Sequence, residues 1–335
     1  MKMIAGLSVV IAATSLLAET NKTVENYSNV FNGNSYVSAD EKIHGNLDLY
    51  KTFVHDSADT AQTFIGLNNA NIFLARKLGT HAKVQFNTNY GPINVVDNEP
   101  TSDNTFKVAE AFVTYAIHNA QIKVGKFFTA FGSYNPYNAD KTLIEARNSN
   151  LNNNAAELAY AIQPNAYFKV WAVKPALDTV KEYYGAKLGY SFDAKSAKVA
   201  ADVSLLNDAR EMFEAPQNIT LKKGNALQGQ VSVNYGPIVV AGKVLRASKL
   251  VNNTSPIIKG MSIAYDTVFS GHSAQLVAQY ERANNVQDLE IASKRVGLFI
   301  NTPVDKNINL VAGVSERTIA ARKLRTTSIG LKATI

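Results

Sequence analysis

Leu227-Gln228-Gly229-Gln230-Val231-Ser232-Val233-Asn234-Tyr235 alternates apolar with polar or small residues and then breaks at Gly236-Pro237. A two-residue period is that of a β-strand, whose successive side chains point to opposite faces, so one face of this segment is greasy and the other polar. The rhythm returns in Val84-Gln85-Phe86-Asn87, in Gln275-Leu276-Val277-Ala278-Gln279-Tyr280 and in Ile308-Asn309-Leu310-Val311-Ala312-Gly313-Val314-Ser315. Alternating segments of about ten residues, divided by turn residues, mark a transmembrane β-barrel. A large soluble antiparallel sandwich alternates in the same way, and periodicity alone does not separate the two.

Read along the chain, the pattern predicts sixteen strands, near 43–55, 62–77, 80–90, 104–117, 120–130, 155–164, 166–174, 182–192, 195–206, 226–236, 237–247, 258–267, 272–282, 292–302, 305–316 and 325–335. Every second link is tight: Leu78-Gly79, His118-Asn119, Pro164-Asn165, Asp193-Ala194, Gly236-Pro237, Phe269-Ser270-Gly271 and Pro303-Val304. Gly, Pro, Asn and Asp at these places suit turn geometry. The links between them are longer at 91–103, 131–154, 207–225 and 248–257, and shorter at 56–61, 175–181, 283–291 and 317–324. Bacterial barrels keep short turns on the periplasmic side and longer loops outside. The expected fold is therefore all-β, a transmembrane antiparallel barrel with both termini periplasmic. Tyr115, Phe128, Tyr184, Tyr190, Tyr235, Tyr265 and Tyr280 fall on the greasy parity, where rings at headgroup level would form aromatic belts.

The N-terminus agrees with export. Met1-Lys2 precedes an apolar run, Met3 to Leu17, too short for a spanning helix. It reads as a signal peptide over 1–18, followed by a short periplasmic segment over 19–42 and the outer-membrane barrel over 43–335. The 335-residue chain has no cysteine, so disulfides do not hold it, whereas closing a sheet pairs every backbone group and leaves no edge. Lys and Arg number 34 against 27 acids, a formal charge of +7, and they are scattered rather than clustered. That distribution argues against a nucleic-acid partner. The five histidines, His44, His55, His81, His118 and His272, form no i, i+4 pair of the kind that binds metal. No Ser, His and carboxylate are spaced to suggest a catalytic set, and no glycine-rich phosphate loop occurs. Neither an enzyme nor a resident cofactor is expected.

With the greasy parity against lipid, Lys83, Lys123, Lys169, Lys187, Lys198, Lys243, Lys332 and Arg295 turn toward the lumen, beside Asp48, Glu110, Glu157, Asp202, Asp266 and Glu281. Charges of both signs on a pore wall orient polar solutes and set ion preference, or pair across the lumen to stiffen it. A barrel of this size leaves an aqueous channel unless loops fold inward. The 131–154 link is the candidate constriction, through Phe131, Tyr134, Tyr137, Asp140, Lys141, Glu145 and Arg147. The 207–225 link, with Arg210, Glu211, Glu214, Lys222 and Lys223, is the second candidate.

Glu110-Ala111-Phe112-Val113-Thr114-Tyr115, then Ile122-Lys123-Val124-Gly125-Lys126-Phe127-Phe128 and Phe131-Gly132-Ser133-Tyr134, resembles the outer-membrane siderophore-porin family typified by the legiobactin receptor. The resemblance is sharpest over 106–137. It implies a barrel without the large N-terminal plug of energy-coupled receptors, taking up a ferric siderophore or similar small ligand, and it draws attention to Lys126 and Phe131-Gly132. Two functions follow from these readings: an uptake channel for a siderophore-like or other small polar solute, and a loop-plugged structural or adhesive barrel. Lipid is the expected partner of the outer wall. Monomer and homo-oligomer both fit the strand alternation.

Overall fold

Sixteen antiparallel strands, each hydrogen-bonded to its neighbours in sequence, close on themselves where the first pairs with the last. They are β1 Lys42–Asp56, β2 Ala61–Leu78, β3 Ala82–Tyr90, β4 Phe106–Ile117, β5 Ala120–Phe128, β6 Asn152–Gln163, β7 Ala166–Lys174, β8 Tyr183–Ala194, β9 Ala197–Leu206, β10 Ala226–Tyr235, β11 Ile238–Ala247, β12 Ile257–Phe269, β13 His272–Asn284, β14 Lys294–Asp305, β15 Ile308–Ile319 and β16 Arg322–Thr334. The computed structural model describes these strands together with 79–81, 118–119, 129–132, 142–151, 164–165, 175, 181–182, 195–196, 207–213, 219–225, 236–237, 248–251, 254–256, 285–286, 289 and 291–293. For 42–56, 61–71, 89–90, 106–107, 149, 269, 272 and 334 it describes only backbone. The expected signal peptide, 1–18, and the expected periplasmic segment up to residue 41 lie outside the described residues.

Which face meets which solvent is read from the register. Leu188 on β8 stands opposite Val203 on β9, and both are about half exposed on the outer wall. Outward Val231, Met261, Leu298 and Ile329 continue this apolar surface round the barrel. Inward Ser204 and Gln228, paired to one another across β9 and β10, are fully buried. A water-soluble sandwich would hide its greasy parity and show its polar one, so the observed arrangement is that of a barrel whose outer wall faces lipid. Outward aromatic rings gather toward the two ends. Tyr115, Tyr190, Tyr235 and Tyr265 stand near the short turns, and Tyr184 and Tyr280 near the long loops.

The turns at His118-Asn119, Pro164-Asn165 and Gly236-Pro237 lie where the sequence places them. Three links differ. The turn expected at Asp193-Ala194 lies at Lys195-Ser196, where Lys195 takes φ +54. Pro303 and Val304 remain in β14, whose pairing with β15 slips between Pro303 and Asp305, because a proline without N–H is accommodated at an irregularity rather than in the regular ladder. The link expected over 317–324 contracts to 320–321, since β15 and β16 stay paired as far as Ile319 and Arg322. The first strand begins at Lys42, one residue earlier than expected.

Candidate functional site

The long link between β5 and β6 turns into the barrel instead of standing above it. Its centre is a seven-residue helix, α1 (Leu143–Ser149), which starts where Thr142 Oγ1 accepts a hydrogen bond from the Glu145 amide at 3.2 Å and the Thr142 amide donates to Glu145 Oε2 at 3.1 Å. This reciprocal capping box satisfies two of the amides that a helix start leaves orphaned. Two more go to the opposite wall. The Leu143 amide donates to Glu281 Oε2 of β13 at 2.5 Å and the Ile144 amide to Glu281 Oε1 at 3.3 Å. A carboxylate at the positive end of a helix is electrostatically well placed. Behind Glu281, at 3.9 Å, stands the guanidinium of Arg295 on β14, which also donates to Gln279 Oε1 at 2.7 Å. Glu145, projecting from the first turn, meets Lys243 Nζ of β11 at 3.1 Å.

A second seat lies nearer the start of the link. The Gly132 amide donates to Ser204 Oγ of β9 at 3.0 Å, and the Gly132 carbonyl accepts from Lys187 Nζ of β8 at 2.7 Å. Lys187 is also 3.2 Å from Asp202, which in turn accepts from the Gln230 amide. Gly132 has φ +64, and a Cβ there would run into the side-chain amide of Gln228. Only glycine brings the chain this close to the wall in that backbone conformation. The link is thus pinned to β8–β10 by Gly132 and to β11–β13 by α1.

The other long links lock onto it. Asn150 Nδ2 donates to the Met212 carbonyl at 3.3 Å, Asn153 Nδ2 to Glu211 Oε2 at 2.7 Å, and the Lys222 amide to the Leu250 carbonyl at 2.9 Å. Phe131, Leu143, Ile144, Met212, Phe213 and Leu250 pack with inward Trp171, Leu206, Leu245 and Ile258 into one apolar core at the long-loop end.

All fourteen charged residues expected at the lumen fall on the inward parity of the paired strands, from Lys83 opposite Thr114 and Lys123 opposite Glu157 round to Lys332 opposite Asn309. They divide into two groups. Lys187, Glu281 and Arg295 are covered, by Gly132, by α1 and by the surrounding network. Glu157 is buried 3.9 Å from Lys169, and Lys123 Nζ lies 4.0 and 4.1 Å from the ring centroids of Phe112 and Phe127. Lys198 and Asp266, toward the short turns, remain exposed, Asp266 accepting from Gln275 Nε2 at 2.8 Å. Glu110 and Lys83 are half-buried. Of the constriction candidates, Phe131 and Arg147 are buried and Glu145 is half-buried, while Tyr134, Tyr137, Asp140 and Lys141 lie outside the described residues, as does the Asp48 side chain. Lys126 stands on the outward parity opposite Ala111, its Nζ donating to the Val108 carbonyl at 2.9 Å, and so does not touch the lumen. The sequence reading passes over α1 and over Ser204 and Gln228, which meet Gly132. The Thr142-Leu143-Ile144-Glu145 capping signature marks the helix start, whereas Ser204 and Gln228 are defined by pairing alone.

No protein-family model matches the chain, and no curated protein matches it in sequence. Solved structures match its fold. An anion-selective porin from Comamonas acidovorans superposes with a TM-score of 0.63 at 10% identity, over 88% of this chain and 99% of that one. OprB of Pseudomonas putida gives 0.62 at 10% identity, over 88% and 94%. The trimer form of OmpT, an outer membrane protein of Vibrio cholerae, gives 0.55 at 11% identity, over 89% and 100%. At such identities the likeness is one of fold.

Proposed function

We propose that the protein is a porin-type channel of a bacterial outer membrane, passing small polar solutes through a lumen narrowed by the 129–151 loop. The observation that carries this reading is the double seat of that loop, on Gly132 and on α1, inside a barrel with a charged inner wall and an apolar outer one. The fold likeness to porin barrels supports it, and the Comamonas protein is itself described as anion-selective. On this reading residues 1–18 export the chain, 19–42 lie in the periplasm, the short turns face the periplasm and the long loops face outside. The trimer form of the Vibrio protein supports a homo-oligomer, which mass measurement of the detergent complex tests.

A heat-modifiable shift on gels should first establish the folded barrel. In planar bilayers the same preparation then gives discrete conductance steps. The finer reading, a siderophore-like cargo, rests on the resemblance over 106–137, and a ferric siderophore added at micromolar concentration should block those steps. Folded barrels that never conduct would overturn the channel. That outcome belongs to the second reading, a loop-plugged structural or adhesive barrel, which is favoured by the apolar core that the loops build inside the long-loop end.

A further inference from the structure

On the outer wall of β12, β13 and β14, close to the long loops, three cations stand side by side. Lys259 is directly opposite Arg282, and Arg282 directly opposite Lys294. The row continues through Thr318 of β15 to Lys323 of β16. All four basic residues are exposed, and each lies within the first or last three residues of its strand. One step toward the middle of the wall, Met261, Tyr280 and Val296 form the next row, with Glu316 and Arg325 beyond them joined at 2.8 Å. The row after that, Ile263, Ala278, Leu298 and Val314, is apolar or small.

Like charges directly opposite on a sheet repel, and among the described residues the outward positions of these two rows carry one acid, Glu316, which is engaged with Arg325. Lys294 rests its Nζ 5.9 Å from the Tyr280 ring centroid, so the ring holds the ammonium over the apolar rows without neutralising it. The order from rim to middle is cationic, aromatic and apolar, then apolar. That is the profile of an amphiphile with an anionic head and acyl chains, laid along the wall. Among the described residues, the outward cations Lys126, Lys174 and Arg246 near other long-loop ends have no cation directly opposite them.

We infer that this face of β12–β16 binds the anionic, multiply phosphorylated headgroup of a lipid in the leaflet level with the long loops, with the phosphate over Lys259, Arg282 and Lys294 and the acyl chains against Met261, Tyr280 and Leu298. The inference rests on the membrane-barrel reading above. Its surface is distinct from the lumen.

The test compares the wild-type protein with a Lys259→Gln, Arg282→Gln, Lys294→Gln triple variant, each refolded in zwitterionic detergent and checked by heat-modifiability and by bilayer conductance. Lipid A, a diphosphorylated acylated disaccharide, is titrated against thermal unfolding, beside phosphatidylethanolamine and inorganic phosphate. At about fivefold per cation, the variant should bind lipid A about a hundredfold more weakly, while phosphatidylethanolamine and inorganic phosphate shift neither protein. Equal binding of lipid A by both proteins, or none by a wild-type barrel that is heat-modifiable and conducts, overturns the inference and leaves the channel reading standing. Loss of an oligomer in the variant with lipid A binding unchanged overturns it too, and assigns the face to a second copy of the chain.

Discussion

The two ends of the barrel interior are built on opposite terms. At the long-loop end the inward positions include Ala155, Leu206, Ala226, Leu245, Ala247 and Ile258, all buried, and the loops close over them. At the short-turn end the same parity carries Lys198, Asn234, Asp266 and Asn301, all exposed. One strand thus presents two interiors along its length, a packed core and a wet wall, under an unchanged outer surface. The difference teaches that inward parity does not by itself mean lumen. What meets those positions, loop or water, decides their chemistry.

The sharpest way to break the contrast is Glu281→Ala. The carboxylate holds the first two amides of α1 and lies 3.9 Å from the Arg295 guanidinium. Removing one partner of a buried pair destabilises by about 3 kcal/mol. Denaturant unfolding followed through Trp171, the single tryptophan and a buried member of the apolar core, reads the loss, and single-channel conductance should rise as α1 leaves the wall. Gly132→Ala acts at the other seat. A Cβ would strike the Gln228 amide from a left-handed backbone, costing about 2 kcal/mol. Conductance should again rise, with the α1 seat intact. Gln228→Met works in the reverse direction. Both atoms of its amide are buried without a hydrogen-bond partner, so an apolar side chain of similar length should raise stability by about 1 kcal/mol, measured by the same titration. Lys198→Glu touches only the wet end. It should leave unfolding within about 0.5 kcal/mol of wild type and move the reversal potential in a salt gradient toward cation preference. A large stability loss from Lys198→Glu would erase the distinction between the two ends.

Much of this was legible in the sequence. The two-residue period survives in every strand because one face meets a uniform apolar surface, and the turn residues at His118-Asn119 and Gly236-Pro237 carry their own conformational signal. The packed end was written there as well, in a form that alternation hides. Leu205-Leu206, Val244-Leu245 and Ile257-Ile258 are apolar doublets at the long-loop ends of their strands, where one residue of each pair faces outward and the other meets the loops. α1 was harder to see, since seven residues are too few to display a helical period and only its capping signature speaks for it. The seats themselves were out of reach. Gly132 and Ser204 are 72 residues apart, and Leu143 and Glu281 are 138 apart, and only the finished barrel brings them together.

Closure through β1 and β16 gives the chain a fixed order of events. Each of the other fifteen strand pairs joins neighbours in sequence and can zip locally, but Asn46 finds Thr334 only after every intervening strand has been made. The final seam brings together the two most distant parts of the sheet, and bringing distant segments together is the slow, entropically expensive part of folding. Until it forms, two unpaired edges remain open to other chains. Assembly of this wall is therefore an act of the whole polypeptide, completed after synthesis rather than during it.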